Sequence, residues 1–190
     1  MSLSATPLII LDRDGVINED RDDYIKSPDE WVPVPESLEA IARLTHAGWS
    51  VVVATNQSGI ERGLFDINTL HAIHNKMTHA VAQAGGHIEG IFFCPHAPDT
   101  GCRCRKPATG LYEDIASRFG RPLTNTPVVG DSLRDLQAGH VMGAALWLVR
   151  TGKGLRTLAA AEKDSSKALP PGTSIEDNLA AVVTRLLAAH

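Results

Sequence analysis

Aromatic residues are scarce, with three Trp, two Tyr and four Phe making 5% of 190 residues. A core must then be filled by Val, Ile, Leu and Ala, and the 43% hydrophobic content supplies them at a length that fits one domain spanning 1–190. Basic charge is also short: 18 Lys and Arg stand against 22 Asp and Glu, a formal net charge of −4. That balance argues against nucleic acid as a partner, which calls for a basic face, while leaving room for a locally basic pocket that takes a small anion. No window approaches the roughly 18 apolar residues of a membrane span. The N-terminus lacks the basic lead and apolar run of a signal peptide. We expect a soluble, cytoplasmic protein with no membrane partner. The three cysteines, Cys94, Cys102 and Cys104, fall within eleven residues. An odd count in a reducing compartment is a poor disulfide framework and points toward metal.

What is present is a series of apolar runs that stop at polar groups. Leu8-Ile9-Ile10-Leu11 reads as a buried strand ending at Asp12-Arg13-Asp14-Gly15-Val16. Two carboxylates one residue apart at a strand's carboxyl end suit a shared metal ion, although Asp-Gly alone makes an ordinary turn. Pro35 to Ala47 carries one helical face, closed by Gly48, and Trp49 to Ala54 reads as a second strand stopping at Thr55-Asn56-Gln57-Ser58-Gly59. Strand, helix, strand implies a parallel crossover. A helix from about Asp66 to Ala84 follows, its histidines His71, His74 and His79 read as a solvated face, and then a strand from Ile88 to Phe93. Leu111 to Phe119 reads as a helix, Thr126 to Gly130 as a strand ending at Asp131, Ser132 to Met142 as a helix, and Ala144 to Val149 as a strand. Lys163 to Thr173 reads as a connector before a last helix from about Ile175 to Ala189.

These strand ends should share one rim of a parallel sheet. Mg²⁺ wants oxygen ligands; Asp12 and Asp131 offer carboxylates, and a backbone carbonyl near Asp14 offers a third oxygen. Lys106 is a candidate cation for a phosphoryl group and Thr55 a hydroxyl donor to it. Ser132-Leu133-Arg134-Asp135 fits a helix capping box, with a place in the metal's surroundings as the alternative for Asp135. Cys94-Pro95-His96 followed by Cys102-Arg103-Cys104 offers three thiolates and an imidazole, a closed tetrahedral set for structural Zn²⁺. Such a staple would point Arg105 and Lys106 into the pocket.

Asp12-Arg13-Asp14-Gly15-Val16, Val53-Ala54-Thr55-Asn56, Arg105-Lys106-Pro107 and Val129-Gly130-Asp131 resemble, in order, the four motifs of the haloacid dehalogenase superfamily phosphatases. The resemblance implies a Rossmann-like α/β fold, a parallel sheet with helices on both faces. It implies Asp12 as a nucleophile forming an aspartyl-phosphate and Asp14 as general acid and then base. Thr55 and Lys106 would hold phosphoryl oxygens, with Mg²⁺ on Asp12, Asp131 and the Asp14 carbonyl. The short intervals between motifs leave no room for a large cap. Two related families carry such a zinc loop. Gly15-Val16-Ile17-Asn18 and Asn56 to Gly63 look like the heptose 1,7-bisphosphate 7-phosphatases of lipopolysaccharide heptose synthesis, with histidinol-phosphate phosphatases the runner-up. That likeness implies substrate contacts from Asp20, Asn56, Gln57, Ser58 and Arg105, a small sugar bisphosphate as partner, and a monomer. The family often has Lys directly after the last metal-binding Asp, where this chain has Ser132. A zinc-stabilised binding module, with the acidic groups only forming turns, is the alternative from another class.

Overall fold

Leu8–Leu11 form β1, and all four residues are buried, which is why the run is apolar without alternation. The computed structural model describes residues 6–189; Met1 to Ala5, on which part of the reading of a leaderless N-terminus rests, and His190 lie outside them. In chain order the remaining elements are α1 (Ser37–His46), β2 (Ser50–Asn56), α2 (Ile67–Gln83), β3 (Gly90–Cys94) and α3 (Gly110–Arg118). Next come β4 (Pro127–Gly130), α4 (Leu133–Val141), β5 (Ala145–Val149), α5 (Gly154–Lys163), β6 (Ser174–Glu176) and α6 (Leu179–Ala188). The six strands form one parallel sheet in the order β3-β2-β1-β4-β5-β6.

Alternate strand residues feed two cores. Ile9, Leu11, Val51 and Val53 face α1, α2 and α6, packing with Ile41, Leu44, Met77 and Val182. Leu8, Ile10, Val52 and Ala54 face the opposite side, with Leu111, Ile115 and Ala138 of α3 and α4. Each fully buried Leu, Ile or Val contributes roughly 1.5–3 kcal/mol, so the central strands anchor the fold. From β1 the chain winds outward one way through β2 and β3 and the other way through β4 to β6. The crevice at that reversal, beyond the carboxyl ends of β1 and β4, is where an open α/β sheet places its ligand. Between β1 and β2 lie a 3₁₀ turn and α1, and between β2 and β3 only α2, so the described residues form no large cap over the crevice. No helix among the described residues is long and apolar enough to cross a membrane.

Three expectations need correction. β2 runs on through Thr55 and Asn56 instead of stopping before them, because both residues pair with β3. His74 is not on a solvated face: it is 6% exposed, while His71 and His79 are exposed. Ile175 begins no helix; it lies in β6, which pairs with β5, and the last helix starts at Leu179 behind the Asn178 cap. Helix α5 has no counterpart among the sequence expectations; only Gly154 of its ten residues is buried.

Candidate active site

The Asp12 amide donates to the Val129 carbonyl at 2.9 Å, which sets the end of β1 beside the end of β4 and its Asp131. Asp12 Oδ1 accepts the Arg13 amide at 2.8 Å and lies 3.2 Å from Lys106 Nζ. Lys106 is 2% exposed, donates to the Ala54 carbonyl at 2.6 Å and pairs with Asp135 Oδ1 at 2.6 Å. Asp135 is also the helix cap: its Oδ2 accepts the Ser132 amide at 3.1 Å and the Ser132 hydroxyl at 2.6 Å. Both carboxylate oxygens are therefore committed, to the cap and to the lysine. Asp131 Oδ2 accepts the Lys153 amide at 2.7 Å. Gly15 and Gly152, both at positive φ, let the backbone close around Asp131; a Cβ on either would strike its Oδ2.

Asp12, Asp131 and Asp135 present oxygens within 4.8 Å of one another. Burial pushes Asp12 up to about 7, against the pull of Lys106, with Asp135 and Asp14 adding to the rise. Burial, with Asp12 and Asp135 close by, also holds Asp131 well above the carboxylate range. For Asp135, burial is overcome by Lys106, which keeps it below the usual value. Two carboxylates that burial disfavours as anions, beside a third already neutralised, form an oxygen donor set that a divalent cation fits. Asp12 and Asp131 are the pair left to meet it.

Asp14 stands two residues on, in a fork. Arg13 donates to it from Nε at 3.0 Å and from Nη2 at 2.8 and 3.0 Å, and Asn18 Nδ2 and Gln57 Nε2 each donate at 2.9 Å. Burial alone would raise Asp14, but Arg13, Asn18 and Gln57 together hold it below the usual carboxylate value. Gln57 Nε2 also donates to Thr55 Oγ1 at 2.9 Å, which leaves the Thr55 hydroxyl proton to be donated. The Asn56 side chain bonds both ways to the Lys106 backbone, at 3.1 Å each, so the end of β2 fixes the Lys106 loop.

Cys94, His96, Cys102 and Cys104 bring one donor atom each to a single point. Sulfur–sulfur separations run from 3.0 to 3.6 Å, and His96 Nδ1 lies 3.5 Å from Cys94 and 3.3 Å from Cys104. The loop is tied to the site by Arg105 Nη1, which donates to the His96 carbonyl at 3.0 Å. Glu61 Oε2 ties it again, accepting the Ala97 amide and the Thr100 hydroxyl. Beside the carboxylates opens a recess where Arg21, Arg62, Arg105, Arg134 and Lys153 outnumber a single acid, Asp22, with Tyr24, Asn56 and Ser58 between them. In a chain of net negative charge, this is the basic surface an anion would find.

Residues 7–140 match the family described as polynucleotide kinase 3 phosphatase, and residues 103–181 the family described as HAD-hydrolase-like. Over 95% of the chain and 97% of the relative, the sequence is 59% identical to D-glycero-beta-D-manno-heptose-1,7-bisphosphate 7-phosphatase of Bordetella bronchiseptica. The chain belongs to the heptose-1,7-bisphosphate 7-phosphatase family of haloacid dehalogenase-like hydrolases. A second family member, from Pseudomonas aeruginosa, is 53% identical over 95% of the chain and 97% of its own length. The crystal structure of the B. bronchiseptica enzyme complexed with magnesium and phosphate superposes with a TM-score of 0.92, at 58% identity, over 97% of this chain and 99% of that one.

The structure brings together Asp12, Asp14, Asp20, Thr55, Asn56, Lys106 and Asp131 around one crevice, with Ser58 and Arg105 on the adjoining recess. Gln57 stands behind that surface, 4% exposed, with its amide spent on Asp14 and Thr55. Asp20 reaches the crevice, where Lys153 Nζ pairs with it at 2.5 Å. Sequence reasoning passed over Arg13, Arg62, Arg134 and Lys153. Arg13 and Arg62 sit inside stretches singled out for other residues, and Lys153 precedes the helix that went unread.

Proposed function

We propose that this chain is a Mg²⁺-dependent phosphoric monoester hydrolase that removes the 7-phosphate of D-glycero-β-D-manno-heptose 1,7-bisphosphate, in the supply of heptose for lipopolysaccharide. The observation that carries the reading is the buried Asp12–Lys106–Asp135 cluster beside Asp131, with a second, separately held carboxylate at Asp14. An Asp12 oxygen attacks phosphorus and the bond to O7 breaks; Asp14, an anion in the free site, takes up a proton as the negatively charged substrate binds beside it and passes that proton to the leaving alcohol. Asp14 then takes a proton from water as it attacks the aspartyl-phosphate, and inorganic phosphate and free Asp12 result. Lys106 and the Thr55 hydroxyl neutralise and orient the phosphoryl oxygens, as charge on equatorial oxygens requires. Mg²⁺ on Asp12, Asp131 and the Asp14 carbonyl would supply further charge neutralisation.

The recess of Arg21, Arg62, Arg105 and Arg134 takes the second phosphate, so the substrate is held by its far end. Asp20, Asn56 and Ser58 meet the sugar between, and Gln57 acts through Asp14 and Thr55. The three thiols and His96 hold one structural Zn²⁺. Their sulfur–sulfur separations of 3.0 to 3.6 Å fall within the edge of about 3.8 Å expected for a tetrahedron with Zn–S near 2.3 Å, and four protein donors leave no open position. Every group the reading needs comes from one chain, so it asks for no partner subunit and fits a monomeric cytoplasmic enzyme. Phosphate release from the β-heptose bisphosphate, its α-anomer and histidinol phosphate, side by side, tests it. The β-heptose substrate should turn over fastest and Asp12→Asn should abolish release; full activity in that variant sinks the aspartyl-phosphate mechanism.

A further inference from the structure

Arg13 and Asp14 are neighbours in sequence, and an arginine paired with its own neighbour is not by that fact held in place. Its guanidinium is nevertheless fully buried, with two nitrogens spent on the Asp14 carboxylate. The remaining Nη1 points away from the site and meets Nε2 of His74 at 3.3 Å, across 61 residues of chain. His74 lies on α2, 6% exposed, with its ring edge-on to Phe93 at 6.1 Å between centroids and 64° between planes. An arginine N–H can only donate, so Nε2 must accept, which requires a neutral ring carrying its proton on Nδ1. Burial, with the Arg13 charge beside it, pushes His74 down to about 3 and keeps the ring in that form. An apolar residue there would leave a buried guanidinium N–H without a partner, a costly arrangement that the fork could relieve by shifting.

We infer that His74 is a positioning residue for the reaction: through Arg13 it fixes the orientation of the Asp14 carboxylate, and so the proton transfer to the leaving alcohol. The inference rests on the reading of Asp14 as the proton donor. α2 thereby takes part in the chemistry, although it contributes no group to the crevice. Asn18 and Gln57 hold Asp14 from other directions, which is why the loss of His74 weakens the transfer without abolishing it.

The test uses the dependence on leaving group, because an alkoxide needs a proton to depart and a nitrophenolate does not. With Mg²⁺ present, kcat/KM is measured on β-heptose bisphosphate and on p-nitrophenyl phosphate; this constant reports the step up to leaving-group departure. His74→Ala should lose about tenfold on the heptose substrate, part of the ~10²–10⁴ that proton transfer supplies, and stay within about twofold on the aryl phosphate. His74→Gln, whose amide oxygen can reach the Nε2 position, should recover most of the loss. Asp14→Asn is the reference and should show the same selectivity, more strongly. Equal loss on both substrates in His74→Ala and His74→Gln, or no loss on either, overturns the inference. If Asp14→Asn itself shows no selectivity, the reading of Asp14 fails, and the inference falls with it for that distinct reason.

Discussion

Replacing Lys106 by Met keeps the length of the side chain and removes its charge. Lys106 is 2% exposed and Asp135 1% exposed, with 2.6 Å between Nζ and Oδ1 and 3.2 Å from Nζ to Asp12. Burial alone would lower Lys106, but Asp12 and Asp135 hold it above its ordinary value, so it is charged at every working pH. Without it, Asp135 is a buried anion beside two other carboxylates. Breaking a buried pair by removing one partner costs about 3–5 kcal/mol, or roughly 6–20 °C in Tm for a chain of this size. The sign with pH follows from the same groups. In the native protein the folded pKa of Asp135 is depressed, so its contribution is present above the unfolded value near 3.9 and lost as pH falls through the folded value. In Lys106→Met, only the Ser132 hydrogen bonds and the more distant Arg134 still oppose burial, and the folded pKa of Asp135 rises above the unfolded one. The variant's deficit should then be full at pH 7 to 8 and shrink as pH falls toward 4.5, where Asp135 takes up a proton. Urea unfolding at pH 7.5, 6 and 4.5 measures this. A variant as stable as the parent at pH 7.5, or a deficit that does not change with pH, refutes the reasoning.

Three other outcomes are expected. Metal analysis after dialysis should find about one zinc per chain, and a strong chelator applied in mild denaturant should lower Tm and activity together; a protein with no zinc removes the structural role of Cys94, His96, Cys102 and Cys104. Gly152→Ala would set a Cβ against Asp131 and the Gly15 backbone, so the Mg²⁺ concentration for half activity should rise about 10-fold or more, as for other groups that orient metal ligands; an unchanged Mg²⁺ requirement contradicts the packing described. Arg105→Ala and Arg62→Ala each delete a cation from the basic recess. Their KM for the bisphosphate should rise about tenfold or more, the worth of a charged hydrogen bond, with kcat/KM on p-nitrophenyl phosphate within about twofold; equal losses on both substrates would place these arginines elsewhere in the mechanism.

The failures of sequence reading follow one physical rule. β1, β2 and β4 are buried on both sides, so their unbroken apolar runs can be read directly. β6, at the edge of the sheet, is three half-buried residues long and offers no apolar run to read. On sequence, His74 shares a helix face with His71 and has no carboxylate cluster near it, which points to a solvated face. Its burial depends on Arg13 and Phe93 arriving from distant parts of the chain. Asp135 fitted a helix cap or a place near the metal on paper; folding gives it the cap together with the Lys106 pair, a contact that no local spacing signals.

The sequence by itself determined the sheet's central strands, the order of the acidic and basic groups along the rim, and the donor types at Cys94, His96, Cys102 and Cys104. These are properties of residue type and short-range spacing. Only the tertiary structure decided that Asp131 and Asp12 share one crevice while Asp135 belongs to Lys106, that Gln57 faces Asp14, and that four arginines and Lys153 converge beside them. Those relations join residues as far apart in the chain as Asp12 and Lys153, across a sheet whose order reverses at β1, and no local signal carries them.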